Sequence, residues 1–468
     1  MSATARNSVA SQPDITRFTL IFGLALAVLA IALLAAVPMP MAIAAAVGLL
    51  SMGCWATNAL PEAVTALLFF AAAMLLALAP APVVFSGFTS SAFWLVLSGM
   101  VVGQAITRTG LGARVAKALA QPLSKSYPQL IGGLIALSYG LSFVMPSNMG
   151  RISLLIPIVL ALADHLRLPA GRKGRTGMVL AVGFSTFMLS TSILPANVPN
   201  LVMAGAAETV YGLHISYVPY LLWHAPVLGL LKGLVLLVAI LKLFPDRLEP
   251  VAEEPAVKAG SALSRREFRL TVLLLVTLAL WMTDDLHHIQ PAWVGLAAAA
   301  LCLLPGIGIL DIEVFAAINF RTMFYIAGLL GLVATVDFTG LGHELGRLLL
   351  SALPLSSGSG PANFGTLVGL SSVLSLVVTA NGEPALYTPM AQAISQSTGF
   401  DPLSVIMIQV IGFSTVIFPY QAPPIIVALE LGGVSLAAAT RLSLVTAAVS
   451  FLLLVPLNYL WWHLLGHL

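Results

Sequence analysis

The sequence PSNMGR at residues 146–151 interrupts an apolar stretch that runs from residue 127 to residue 164. The sequence TANGEP at residues 379–384 interrupts a second apolar stretch, 361–398, in the same way. The apolar piece after each interruption is short for a full span of about 20 residues. Each stretch is therefore predicted to form two half-helices that enter the membrane and turn back. Such a turn is stable at membrane depth only where it lines a cavity within the protein.

The two interruptions belong to an internal repeat. Residues 84–112 align without a gap on residues 314–342, and the tetrapeptide Gly-Phe-Ser-Thr occurs at 183–186 and again at 412–415. A second polar or proline-containing break follows the tetrapeptide in each half, at 190–200 and at 419–424. A duplicated membrane protein with irregular breaks at matching places is typical of secondary transporters.

The composition excludes a soluble protein. Of the 468 residues, 59% are hydrophobic and 8% are charged, whereas soluble domains contain about 25% charged residues. The net charge of +3 is small, so a nucleic-acid partner is not expected. Cys54 and Cys302 both lie in apolar runs, and no His or Cys cluster has the spacing of a transition-metal site.

Long apolar runs must become helices in a membrane, because every backbone group needs a partner. The predicted fold is an all-α polytopic membrane protein, an inverted-repeat secondary transporter with two re-entrant hairpins and about 11 transmembrane helices. The predicted spans are 17–37, 39–58, 62–79, 91–107, 177–194, 222–244, 268–283, 291–305, 321–337, 403–418 and 437–461.

The repeat also predicts the domain organisation. Residues 1–38 form an N-terminal segment with the first span, and 39–245 form the first repeat with hairpin 127–164. A charged linker at 246–267 precedes the second repeat, 268–468, with hairpin 361–398.

Basic residues concentrate in three loops, 108–125, 167–175 and 247–269. A cytoplasmic N-terminus places all three loops in the cytoplasm, provided that stretch 127–164 enters and leaves on the same side. The C-terminus then lies outside, and the two halves have opposite topology. The predicted location is the inner cell membrane, as a multi-pass protein.

The polar breaks are candidate binding sites because of their helix ends. A helix that begins after Ser147 and Asn148 presents free N–H groups and the positive end of its dipole, which attract an anion. The preceding helix ends in free carbonyl groups, which suit a cation or a proton-bearing water. An ordinary N-cap is the alternative interpretation, but the matched break in the second half favours function.

Two charged residues lie within the breaks. Arg151 can bind a substrate anion or can replace a cation that relatives bind here, since a charge in hydrocarbon needs a cavity or a partner. Glu383 is a candidate proton carrier or sodium ligand. A structural ion pair between Arg151 and Glu383 is the alternative for both residues.

With these motifs, the chain resembles the divalent anion/sodium symporter family of the ion-transporter superfamily. That family carries Ser-Asn-Thr at the tip of each hairpin, a Pro nine residues after the Asn, and a later Pro-Pro-Asn-like break. This chain has Ser-Asn-Met at 147–149 with Pro157, and Val-Pro-Asn at 198–200. Its second half has Ala-Asn-Gly at 380–382 with Pro389, and Pro-Pro-Ile at 423–425.

The resemblance implies a homodimer with a scaffold domain and a moving transport domain, an anion held between the hairpin tips, and no cofactor other than Na⁺ or H⁺ as coupling ion. By position, and with Arg151 from its charge, the substrate contacts are Ser147, Asn148, Met149, Arg151, Ala380, Asn381, Gly382 and Asn200. The cation contacts are Ser147, Asn148, Ser192, Asn197, Pro199, Thr379, Asn381, Glu383 and Ala422, where Glu383 is included for its charge, since the sodium-coupled family pattern has no charge there. Because Met149 and Gly382 replace the Thr of the family motif, proton coupling and anion exchange stay open beside sodium coupling.

No enzyme motif is present: the chain lacks His-Glu-x-x-His, Gly-x-Ser-x-Gly and a catalytic pair of Asp residues. The predicted function is secondary active transport of a small anion such as a dicarboxylate or sulfate, either cation-coupled or exchanging, by elevator-type alternating access. The alternative is a cation/proton antiporter of the same superfamily, which requires Glu383 or another carboxylate at the midplane and no anion site.

Overall fold

The computed structural model describes residues 14–35, 37–112, 114, 126–248, 263–307 and 309–468, which form helices joined by turns and contain no strand. The helices up to residue 248 are α1 Ile15–Leu34, α2 Met39–Thr57, α3 Glu62–Leu75, α4 Ser91–Thr109, α5 Tyr127–Ser142, α6 Asn148–His165, α7 Lys173–Met188, α8 Val198–Tyr211 and α9 Tyr217–Leu243. The helices after residue 262 are α10 Arg265–Met282, α11 Pro291–Leu303, α12 Phe320–Phe338, α13 Leu341–Ala352, α14 Gly360–Tyr387, α15 Ala391–Thr398, α16 Pro402–Phe413, α17 Pro423–Gly432 and α18 Leu436–Leu464. Most of the predicted linker 246–267 lies outside the described residues.

Six stretches in the described part of the chain are long and apolar enough to cross a membrane: α1, α2, α9, α12, α18 and the continuous segment Gly360–Thr398. Helices α3, α11, α16 and α17 are shorter but equally apolar. The all-helical, multi-pass architecture is thus confirmed, while the count of eleven spans stays a prediction.

Helices α5 and α6 form the first hairpin, and both of its ends lie at one face of the molecule. At its start, the Tyr127 hydroxyl donates a hydrogen bond to the carbonyl oxygen of Phe244, just after α9, at 2.9 Å. Near its end, Asp164 accepts a hydrogen bond from Arg175 in the first turns of α7. Because the loop after α9 and the start of α7 also carry Arg172 and Arg247, this face is called the basic face below.

The second hairpin enters from the opposite face. Helix α14 is broken at Thr379, whose φ of 66° and ψ of 164° are not helical. Helix α9, 27 residues long and therefore about 40 Å, connects the basic face to the opposite one. Trp461 near the end of α18 donates to the carbonyl oxygen of Leu222 near the start of α9, and Phe364 near the start of α14 packs against Trp462.

Each repeat packs its helices onto those of the other repeat. Helix α4 packs on α11 and α12 packs on α3, while α8 packs on α14 and α17 packs on α6. The helix that follows each later break therefore lies against the hairpin of the other repeat. This exchange brings the two hairpin tips and the two later breaks together in the middle of the molecule.

Asp246 joins the ends of α7 and α9 at the basic face. Its carboxylate accepts hydrogen bonds from the guanidinium of Arg172 (2.9 Å) and from the N–H groups of Gly174 and Arg247. Burial would raise the pKa of Asp246, but the hydrogen bonds from Arg172, Arg247 and Gly174 outweigh it and hold the pKa below its ordinary value.

We therefore expect Asp246→Asn to lower the free energy of unfolding by about 1–3 kcal/mol at pH 7. The effect should be full above the ordinary carboxyl pKa of about 3.9 and should vanish as the pH falls through the lower folded value, because the wild-type carboxylate is then protonated. Thermal unfolding of the purified protein in detergent, followed from pH 7 down to about pH 2, measures it. Asp164→Asn is the control, because Asp164 is largely exposed and such pairs contribute about 0–1 kcal/mol; an equal loss in both variants would contradict the expectation.

Candidate functional site

The two hairpin tips meet at one cavity of about 690 Å³. Asn148 of the first tip and Asn381 of the second both line it, although they are far apart in sequence. The tips and the two later breaks together contribute Ser147, Asn148, Met149, Gly150, Asn381, Pro195, Asn197, Val198, Pro423 and Pro424. The cavity volume is in the range of small-molecule binding sites.

The cavity opens toward the basic face. It runs along α4 from Leu95 to Thr107 and reaches Asn319 before α12. Thr107 and Asn319, at the basic-face end, are exposed, whereas Leu95 and Leu201 at the other end are 5% and 4% exposed. The cavity is therefore accessible from one side of the molecule and closed on the other.

At the first tip, the N-terminus of α6 points its backbone into the cavity. Ser147 is the N-cap residue, and its hydroxyl accepts a hydrogen bond from the N–H of Gly150 at 3.1 Å. The carbonyl oxygen of Ser147 accepts from the N–H of Arg151. The N–H groups of Asn148 and Met149 have no partner among the described residues, so they remain for a ligand with negative charge.

The side-chain amide of Asn148 makes hydrogen bonds to other residues of the protein. Its Nδ2 donates to Oδ1 of Asn197 at 2.8 Å, and its Oδ1 accepts from the hydroxyl of Ser190 at 3.2 Å. Its Oδ1 also accepts from the guanidinium of Arg151. This network ties the first hairpin to the break between α7 and α8.

Arg151 is fully buried behind the tip and does not line the cavity. Besides Asn148, its guanidinium donates to the carbonyl oxygens of Met145, Thr186 (3.1 Å) and Ala196 (3.2 Å). These carbonyl groups lie in the hairpin turn, in the last turn of α7 and in the later break, where helix ends leave acceptors open. Of the residues predicted to contact a cation, Asn148 is the one that binds the guanidinium within the described part of the chain.

The ion pair between Arg151 and Glu383, which was the alternative interpretation of both residues, does not form in the described part of the chain. Glu383 is completely buried on the second hairpin, outside the cavity lining. Neither of its carboxyl oxygens has a hydrogen-bond partner in the described part of the chain. The nearby hydroxyl of Ser371 donates instead to the carbonyl oxygen of Gln409 at 2.9 Å. Glu383 and Arg151 each belong to their own repeat.

The second tip differs from the first at its Asn. Asn381 is only partly buried, and within the described residues its amide makes no hydrogen bond. The reason is at the N-cap of the following half-helix: Asn197 caps α8 and binds Asn148, but Ala422 caps α17 and has no polar side chain. The amide of Asn381 therefore remains free to contact a ligand in the cavity.

Other predicted residues shape the first break without reaching the cavity. The Asn200 amide donates to the carbonyl oxygens of Thr191 and Ile193, and the Ser192 hydroxyl contacts the Tyr139 hydroxyl at 2.9 Å. The predicted residues that do line the cavity are Ser147, Asn148, Met149, Asn197 and Asn381. Those outside the lining are Arg151, Ala380, Gly382, Asn200, Ser192, Pro199, Thr379, Glu383 and Ala422.

Two helices contribute cavity residues that the sequence did not single out. One wall is a stripe of small and polar side chains on α4, comprising Gly99, Gly103, Gln104 and Thr107, and the facing wall includes Thr322 and Tyr325 of α12. These residues recur at helical spacing, and that spacing could have indicated a polar face of α4. The stripe was overlooked because α4 is apolar enough to be interpreted as a simple span. In the described lining, Glu62 is the one carboxylate, and no Lys, Arg or His is present.

Comparisons with known proteins agree with this architecture. Residues 14–468 match the family model of the sodium:sulfate symporter transmembrane region. An L-tartrate/succinate antiporter of Escherichia coli (strain K12) is 27% identical over 398 residues, which cover 80% of this chain and 79% of the relative. A membrane protein of Cupriavidus necator is 25% identical over 404 residues, which cover 81% and 76%.

The fold resembles that of a solved transporter. The YdaH transporter of Alcanivorax borkumensis aligns with a TM-score of 0.53 at 16% identity, over 82% of this chain and 88% of that one. At this identity the likeness concerns the fold alone. With the family match over nearly the whole chain, it follows that the protein is a multi-pass membrane transporter rather than an enzyme, and that it belongs to the sodium:sulfate symporter family.

Proposed function

We propose that this protein exchanges small dianions, dicarboxylates above all, across the membrane. The observation that carries the proposal is the guanidinium of Arg151, held by four oxygen atoms behind the first hairpin tip. The antiporter names of its relatives support the same class of substrate and of reaction.

The anion binds between the two tips. The N–H groups of Asn148 and Met149 face the cavity from one side, and the free amide of Asn381 faces it from the other. Two helix N-termini then direct their positive dipole ends at one ligand, each contributing about half an elementary charge. Arg151 adds a full positive charge on the side of Asn148 that faces away from the cavity. Because Arg151 is fully buried, water and salt screen this charge little.

Arg151 favours exchange over sodium coupling. In transporters with broken helices, the carbonyl groups at half-helix ends coordinate the coupling cation. Here three carbonyl groups near half-helix ends already bind the guanidinium of Arg151. Because this group is covalently part of the protein, it cannot leave the site as a bound sodium ion can. The site without an anion keeps an uncompensated buried charge, and moving that charge through the membrane is costly. A bound dianion offsets the charge of Arg151. The moving part of the protein therefore changes sides readily with a bound dianion and does not do so when the site is empty.

The movement is proposed to be of the elevator type. The two hairpins and the broken helices, α5–α9 and α14–α18, form a transport body, and α1–α4 with α10–α12 form a scaffold. The cavity lies between them, lined by α4 and α12 of the scaffold and by both tips of the transport body. A homodimer in the inner membrane, with a cytoplasmic basic face, is part of the same proposal and follows from the family resemblance and the basic loops.

Uptake into proteoliposomes tests the exchange. We expect labelled succinate to enter vesicles that contain unlabelled succinate and not to enter vesicles without it. After releasing succinate inside the vesicle, the transporter cannot turn its empty binding site back to the outside. Replacing Na⁺ by choline should leave the rate unchanged. Uptake into succinate-free vesicles driven by an inward Na⁺ or H⁺ gradient would contradict the proposal, and cation/proton exchange without anion flux would support the cation/proton antiporter instead.

Replacing Arg151 by Gln should lower succinate exchange on the order of 100-fold, since loss of a buried charged partner costs about 2–5 kcal/mol. Arg151→Lys keeps the charge without the planar set of donors and should retain partial exchange. Arg175→Gln, at the basic face, is the matched control and should exchange at the wild-type rate. Exchange rates are compared for variants that are monodisperse after purification; wild-type exchange by Arg151→Gln would refute the role.

Replacing Asn381 by Asp changes almost no volume but places a carboxylate against the anion. We expect KM for succinate to rise about tenfold or more, which corresponds to at least about 1.4 kcal/mol of lost binding. Asn319→Asp places the same charge at the exposed mouth of the cavity and should change KM much less, because water screens it. Equal KM changes in the two variants would show that Asn381 does not contact the substrate.

A further inference from the structure

The closed end of the cavity contains two leucines and a second, smaller cavity beyond them. Leu95 of α4 and Leu201 of α8 line the large cavity, and both also line a small cavity of about 40 Å³ that lies toward the opposite face. Among the described residues, these two buried side chains are the ones that line both spaces. They form an apolar partition between the large cavity and the opposite face.

The small cavity is closed by a polar link between the transport body and the scaffold. Glu208 lies in the last turn of α8, and Ser91 is the first residue of α4. The carboxylate of Glu208 accepts hydrogen bonds from the N–H of Ser91, at 3.2 Å, and from its hydroxyl. An acidic side chain at the N-terminus of α4 is also favoured by the helix dipole.

Two more contacts join the segment between α8 and α9 to the scaffold at this face. His214 Nδ1 lies 3.0 Å from Nε2 of Gln290, the N-cap residue of α11, and 3.7 Å from the carboxylate of Glu208. The N–H of Tyr217, the first residue of α9, donates to Oδ2 of Asp284 after α10, at 2.6 Å. The short segment 208–217 is thus linked to the ends of α4, α10 and α11.

We propose that these elements form the gate of the opposite face: Leu95 and Leu201 are its plug, and the Glu208–Ser91 link with His214 and Gln290 is its latch. The inference rests on the proposed alternating access. When the cavity turns to the opposite face, the latch breaks, the plug separates and the two cavities join into one path. Apolar constrictions of this kind exclude water and ions while they are closed.

The repeat provides a comparison that separates a latch from ordinary surface polarity. Glu430 lies in the last turn of α17, the half-helix that corresponds to α8. It is exposed, and in the described part of the chain it has neither a hydrogen bond nor an ion pair to the scaffold. Helix α17 thus carries no such link at its end. This one-sided linkage is expected of a transporter that is open to one side only.

Accessibility of a cysteine in the large cavity tests the gate without knowledge of the substrate. Cys54 and Cys302 are replaced by Ala, and Ser153→Cys supplies a single reporter in the cavity lining. A membrane-impermeant maleimide is applied to the opposite face in oriented vesicles. Glu208→Gln and, as a milder change, Ser91→Ala should raise the labelling rate about fivefold or more, because each shifts the population toward the open gate.

Glu430→Gln is the matched control and should label at the rate of the reporter protein. Leu201→Ala should also raise labelling from the opposite face, since it removes the plug. Unchanged labelling in Glu208→Gln, Ser91→Ala and Leu201→Ala, in variants that remain monodisperse, overturns the gate.

A cross-link tests the same gate in the closed direction. Ser91→Cys and Glu208→Cys, joined by a short thiol-specific cross-linker, should abolish succinate exchange, and reductive cleavage should restore it. Undiminished exchange after complete cross-linking overturns the gate, whereas absence of exchange before cross-linking, with labelling as expected, overturns only the proposed function.

Discussion

Backbone that stops being helical in the middle of a bilayer must find partners for its open N–H and C=O groups. In the described part of this protein, the helical backbone is interrupted near the centre at two hairpin tips and two later breaks. The fold meets this constraint by packing helices of one repeat against helices of the other. The half-helix after each later break packs against the hairpin of the other repeat. Carbonyl groups left over at the first tip and around the later break of the first repeat bind Arg151. The N–H groups left over at the first tip face a shared cavity.

The two repeats have diverged around this centre in complementary ways. In the first repeat, Asn148, Asn197, Ser190 and Arg151 form one connected hydrogen-bond network, which ties the first hairpin to the later break. The second repeat keeps an open amide at Asn381, because Ala422 provides no partner. One tip therefore supplies a fixed charge and backbone donors, and the other supplies an unengaged side chain. This division suits recognition of an anion by an internal charge and a polar contact on opposite sides.

The sequence was sufficient to predict the hairpins, because a polar cluster inside an apolar stretch is a local signal. The family resemblance implied that the two hairpin tips face each other, and Asn148 and Asn381 do line one cavity. The sequence did not predict the orientation of the Asn148 amide, which depends on Asn197 across the fold, or the carbonyl partners of Arg151, which come from the hairpin turn, the last turn of α7 and the later break. It left the ion pair between Arg151 and Glu383 open as an alternative; in the structure both residues are near tips, but their side chains belong to different buried surroundings. The polar stripe of α4 was missed because its facing partner, α12, lies in the other repeat.

A density map of the protein with bound succinate, recorded in sodium-containing buffer, shows directly whether the guanidinium of Arg151 or a sodium ion occupies the carbonyl oxygens behind the first tip. We expect the anion between the N–H groups of Asn148 and Met149 and the amide of Asn381, with the guanidinium of Arg151 still bound to the carbonyl oxygens of Met145, Thr186 and Ala196. A sodium ion on those carbonyl oxygens, with the guanidinium displaced, would contradict the proposed replacement of the coupling cation by Arg151.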